Sequence, residues 1–133
     1  AAQSPEIRLL VSAENGVSTI APTSPINFTG MRSSSWYNFR WNASYDEDGI
    51  AYYRLYGDRY SGGMGSQNCD DYDIIAEIPG NRTYFNCPDW LCGSGGGGGS
   101  QRDYFRLSAI DTLQNEGVQS RTIKCDQLGA CTN

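Results

Sequence analysis

From Trp36 to Asn42 the chain alternates: Tyr37, Phe39 and Trp41 interleave with Asn38, Arg40 and Asn42. A period of two is the pattern of a strand with one buried and one exposed face. In a second run Tyr53 and Leu55 share a face, with Ile50 leading in and Arg54 between them. Tyr45-Asp-Glu-Asp-Gly49 joins the two runs with turn formers and a glycine able to take positive φ. Tyr72 to Gly80 and Arg82 to Cys87 give further strands around a Pro-Gly turn, followed by Tyr104 to Asp111 and Val118 to Lys124. Upstream, Glu6 to Ser12 is a strand pattern closed by the turn Glu14-Asn-Gly16, and Val17 to Ile20 gives a second short one. The pattern is that of an all-β domain. With 133 residues the chain is long enough for one domain with a sizeable core and too short for two ordinary ones.

A strand ending in Trp41, an Asp/Gly turn and then Ile50-x-x-Tyr53-x-Leu55-Tyr56 closely resembles the B–C unit of a fibronectin type III domain. The resemblance implies an immunoglobulin-like β-sandwich with Trp41 at the centre of a two-sheet core. Trp36, Phe39, Tyr53, Leu55, Phe105 and Leu107 are expected around it. It extends over about residues 22 to 124. Ala21 to Gly30, opening with Pro22, is similar to the A strand of that family, Tyr72 to Gly80 to C′, and Arg82 to Cys87 to E. Tyr104-Phe-Arg-Leu-Ser-Ala-Ile-Asp111 is similar to F, Leu113 to Gly117 to the F–G turn, and Val118 to Lys124 to the last strand.

Two departures follow from the same alignment. The position of the family's tyrosine corner holds Asp103, with Tyr104 one residue late, so the E–F corner must be built differently. The strand Glu6 to Ser12 is surplus to the family pattern. The expected organisation is an N-terminal extension over residues 1–21, carrying that extra N-terminal strand, and a single sandwich over 22–133. The sandwich has a Gly-rich E–F insertion at 93–100 and a Cys-containing C-terminal tail. Five consecutive glycines differ from the usual four-glycine repeat of an engineered linker, so the run is read as a natural loop.

Composition narrows the function. A formal charge of −5 argues against a nucleic-acid partner. No apolar run approaches the roughly 18 to 20 residues that span a bilayer, so membrane insertion is not expected. The chain begins Ala-Ala-Gln without Met, consistent with removal of a signal peptide after small residues. Five cysteines are present: Cys69, Cys87, Cys92, Cys125 and Cys131. Cys87–Cys92 and Cys125–Cys131 would close short loops, and pairing of Cys69 with Cys87 or Cys92 is equally open. The odd thiol stays unpaired or links to another chain.

Three N-x-S/T triplets, at Asn27, Asn42 and Asn81, are candidate glycosylation sites. Strand alternation turns Asn27 and Asn42 outward, and Asn81 falls in a turn. With the cysteine usage, this favours an extracellular, secreted or surface-attached protein carrying N-linked glycans.

No catalytic constellation emerges. The chain has no His for general acid–base work near neutral pH and no nucleophile elbow. The carboxylates at Asp46/Asp48 and Asp70/Asp71/Asp73 read as solvated turn residues rather than a glycosidase pair. Asp46, Glu47 and Asp48, with Asp111 approaching from another loop, could offer oxygen ligands to calcium, but the EF-hand spacing is absent and acidic turns are ordinary here. No cofactor, metal or enzymatic activity is expected.

The surplus strand carries the sharper expectation. Ile7, Leu9 and Val11 form one face, with Arg8, Leu10 and Ser12 on the other. Adding that strand to a neighbouring copy would give a head-to-tail homopolymer, the subunit of an extracellular fibre or surface appendage. The alternative is a monomeric adhesion or carbohydrate-binding module of a larger secreted protein, with a Tyr/Trp platform around Trp90 and Tyr60.

Overall fold

Tyr37, Phe39 and Trp41 all point inward, and the remaining strands are placed by what those rings pack against. The computed structural model describes residues 20–58, 73–93 and 102–133. The elements are β1 (Ile26–Arg32), β2 (Trp36–Asn42), β3 (Ile50–Asp58), β4 (Asp73–Pro79), β5 (Tyr84–Pro88), the helical turn α1 (Asp89–Cys92), β6 (Tyr104–Asp111), β7 (Ile123–Lys124) and β8 (Gly129–Ala130). They form two four-stranded antiparallel sheets. Sheet 1 has the order β5-β2-β1-β8 and sheet 2 the order β4-β3-β6-β7. Strands β1, β2 and β5 fill the A, B and E positions of a fibronectin type III-like sandwich, and β4, β3, β6 and β7 fill C′, C, F and G. The extra N-terminal strand expected over Glu6–Ser12 lies outside the described residues, as do Cys69, Tyr60 and most of the Gly-rich run.

The core is aromatic. Trp41 meets Tyr53 edge-on with centroids 5.2 Å apart, and Phe39 tilts against Phe105 at 5.1 Å and stacks on Phe28 at 5.6 Å. Each such pair adds about 0.5–1.5 kcal/mol beyond its area burial. Leu55, Leu107, Ile78 and Ile123 complete the interior.

Trp36 is a correction. It is 48% exposed, because a period of two that buries Tyr37, Phe39 and Trp41 must turn Trp36 out. Tyr37, fully buried, takes the core place expected of Trp36.

The last strand is also shorter than its pattern. Only Ile123–Lys124 pairs with β6 as a ladder, at Tyr104↔Lys124 and Phe105↔Ile123. Before it, the Ser120 amide donates to the Leu107 carbonyl and the Ser120 hydroxyl accepts from the Leu107 amide. A side chain thus stands in for a backbone carbonyl, and the ladder is interrupted.

In β1 an extra residue between Ile26 and Thr29 makes a bulge. Asn27 takes a φ of 57° there, a conformation Asn tolerates better than most residues. Gly49 closes the β2–β3 turn at a φ of 91°.

The two described disulfides, Cys87–Cys92 and Cys125–Cys131, close the short loops. The first ties β5 to α1 and builds the E–F corner that lacks the family's tyrosine, with Arg102 donating to the carbonyl of Leu91. The second folds the tail back. After β7 the chain leaves sheet 2, and β8 pairs with Met31 and Arg32 of sheet 1.

Candidate functional site

The edge of β1 is the first candidate. Among the described residues, β8 covers its outer side at Met31 and Arg32, and the Cys131 amide reaches the Gly30 carbonyl. A side chain at Gly30 would collide with Cys131 Sγ, so glycine is needed for the disulfide to sit there. Toward the N-terminus of β1, a cleft of about 390 Å³ opens between Ser24–Thr29 and Gln119, Arg121 and Asn133. The Ser24 hydroxyl donates to the Gln119 carbonyl at 3.2 Å across the cleft, and farther along β1 the edge is taken by β8 at Met31 and Arg32. The stretch between holds about four residues of extended chain, or about 13 Å. Phe28, buried against Phe39 and Trp41, lines the cleft and gives it an apolar floor.

The second candidate is acidic. Folding brings Asp46 and Asp48 of the β2–β3 turn to Asp111 at the end of β6, with carboxylate oxygens all within 4.8 Å of one another. This is three of the four residues weighed for calcium. Oxygen donors in this arrangement suit a hard cation. The same oxygens already hold the loops: Asp111 accepts from the amides of Leu113 and Asn115 and from Asn115 Nδ2, and Asp46 accepts from the Asp48 amide. Those bonds account for the positions of the Asp46 and Asp111 carboxylates.

The third is a polar network on sheet 2. Arg54 lies between Glu77 at 3.2 Å and Glu116 at 3.1 Å, and also donates to the Tyr52 hydroxyl. Glu116 accepts from Tyr56 and from Ser108. Burial pushes the Tyr56 hydroxyl above its ordinary pKa, and its bond to Glu116 adds to that shift against the opposing pull of Arg54. Every polar group named here has a partner, and the network pins the β6–β7 loop onto β3. It reads as structural. Of the tyrosines from Tyr37 to Tyr56, Tyr37 and Tyr53 are core, Tyr56 is buried, Tyr52 pairs with Arg54, and Tyr45 is exposed.

Asn27, Asn42 and Asn81 are all exposed. Ile26 pairs with Asn42, and the Trp41 amide donates to the Thr83 carbonyl, so the three glycan acceptors gather at one end of sheet 1. Sequence spacing gives no hint of this clustering. Trp90 is 73% exposed on α1, two residues after Pro88. Its companion in the expected platform, Tyr60, lies outside the described residues, and the donor residues Ile7, Leu9 and Val11 do too. Trp36, expected in the core, lies instead on the outer face, a place that follows from the alternation itself.

Comparison with known protein families finds no match, and comparison with curated proteins finds none. Solved structures do share the fold. A β-1,2-glucanase from Parabacteroides distasonis superposes on 79% of the chain with a TM-score of 0.55 and 20% identity. Pectate lyase PelI from Erwinia chrysanthemi covers 81% at a TM-score of 0.53 and 17% identity. The FN1-FN3 domains of chicken CNTN1 cover 85% at 0.52 and 14%. The chain spans only 12%, 28% and 33% of those three chains respectively. At these identities the likeness establishes the fold, a fibronectin type III-like sandwich, and nothing of the activity.

Proposed function

We propose that the protein is a non-enzymatic extracellular subunit that assembles head-to-tail by adding its N-terminal strand to the next copy. One observation carries the reading: residues 26–124 fill the A, B, C, C′, E, F and G positions of the sandwich. Glu6–Ser12 is therefore a strand pattern that no sheet position requires. Strand addition gives such a segment its backbone partners and pockets for alternate side chains. The cleft beside Ile26–Thr29 is the acceptor the geometry favours, with an Ile7, Leu9 or Val11 side chain reaching Phe28. Donor and acceptor are different surfaces, so the contact propagates. Two disulfides in the described chain fit an oxidising compartment, and glycans on Asn27, Asn42 and Asn81 fit an exposed fibre.

Negative-stain electron microscopy of the full chain beside one lacking residues 1–13 tests this. Fibres that vanish on truncation, with the truncated chain still folded, are expected. Monodisperse monomers in both samples would sink the reading.

A further inference from the structure

We propose that the outer face of sheet 1 binds an acidic polysaccharide, a chain of uronate-bearing pyranose rings laid along β2 and β5. The inference is independent of strand addition and rests on a different surface.

The four strands of sheet 1 contain no Asp or Glu, in a chain whose formal charge is −5. Their outward residues form three rows. Trp36 faces Pro88, Asn38 faces Asn86 with Met31 on its other side, and Arg40 faces Tyr84. Arg82 lies over the Tyr84 ring at 5.7 Å and adds a second guanidinium to the third row. Trp36 and Tyr84 are 48% and 45% exposed, so neither ring is used by the core.

Successive rows are two residues apart, and the strip from Trp36 to Arg40 is about 13 Å long. That length spans several linked sugar rings. A pyranose has an apolar C–H face and a hydroxylated edge, and each part of the strip meets one of these. The indole of Trp36 offers a flat apolar surface for a ring face. The side-by-side amides of Asn38 and Asn86 offer both donors and acceptors to hydroxyls. Arg40 and Arg82 offer planar forks that match a carboxylate, and no acidic side chain on these strands competes for them. A protein partner would instead call for a contiguous apolar centre, whereas here aromatic and amide rows alternate. The charge pattern selects an acidic chain over a neutral one.

The test is affinity electrophoresis of the full chain in gels containing polygalacturonate or neutral dextran, with titration calorimetry to give Kd. Retardation by polygalacturonate and not by dextran is expected. Trp36→Ala and Arg40→Gln should each weaken binding about tenfold, the loss of one good contact. Tyr45→Ala and Lys124→Gln, an exposed ring and an exposed cation outside the strip, should leave it unchanged. Unaltered melting temperatures would show that the variants fold, and Arg40→Gln serves if Trp36→Ala does not. The proposal fails if the full chain is not retarded, if dextran retards it equally, or if strip and control variants lose affinity alike. It also fails if sedimentation shows the chain dimerising through Trp36 without polysaccharide, which would make the face a protein contact.

Discussion

Strands β2 and β6 occupy the middle of their sheets, yet only β2 shows its alternation at the surface. In β2 the odd-numbered residues Tyr37, Phe39 and Trp41 are buried, while Trp36, Arg40 and Asn42 are exposed and Asn38 is half-covered. In β6 everything from Phe105 to Asp111 is buried, on both faces. The chain itself makes the difference: the segment after β6 folds back over its outer face, where Glu116 takes Ser108 and Arg106 donates to Thr122. The outer face of β6 is thus closed by the protein's own residues, whereas among the described residues that of β2 is open. A surface satisfied internally has little left to offer a partner, so recognition is expected on sheet 1.

The sharpest way to break this comparison is to treat the two tryptophans of β2 alike. Trp41→Ala should cost about 3–5 kcal/mol, as large-to-small changes in an aromatic core do. Trp36→Ala should cost under about 0.5 kcal/mol, the usual range for an exposed side chain. Denaturant unfolding of both variants checks this, and equal losses would mean that the β2 register is wrong.

The disulfide that carries the tail to sheet 1 comes next. Replacing Cys125 and Cys131 together by Ser should cost about 2 kcal/mol, given the short loop they close. Hydrogen exchange should then quicken at Cys131 and Thr132, whose amides bond the Gly30 and Lys124 carbonyls.

On sheet 2, Glu116→Gln should cost about 1 kcal/mol by weakening a partly exposed pair with Arg54 and the bond from Tyr56. A loss of several kcal/mol in thermal melts would show that the loop is held far more tightly than an exposed pair allows.

The smallest effect is one of pH. The folded state raises the Tyr56 pKa above its ordinary value of 10.0, so it keeps a proton that the unfolded chain releases near that pH. Stability is therefore full below about pH 10 and falls as pH rises further. Tyr56→Phe should flatten that part of the profile, measured as melting temperature against pH.

Much of the sandwich was legible because burial on one face writes itself into alternating residues. The strands B, C, C′, E and F follow from that pattern and from the turn formers between them, down to Gly49 at positive φ. What could not be read was made by side chains acting across distance. Ser120 replaces a ladder carbonyl and shortens the last strand, and nothing in Val118 to Lys124 signals it. Strand β8 is two residues long, too short for any period, and exists because a disulfide delivers it to Met31. The short cysteine spacings allowed both described bridges but equally allowed Cys69 as a partner. The meeting of Asp46 and Asp48 with Asp111 was foreseeable only because two loops of a known fold share one end. Trp36 was misplaced by weighing its size above its position in the alternation.

The crossing of the tail from sheet 2 to sheet 1 has a mechanical consequence. It staples the two layers along one margin, like the stitched spine of a book. Beyond that spine the layers are held by the aromatic contacts between them, by the bond from the Ser44 amide to the Tyr53 hydroxyl and, at the cleft, by the bond from Ser24 to Gln119. Reduction of Cys125–Cys131 would loosen that margin, while the aromatic core goes on holding the layers together.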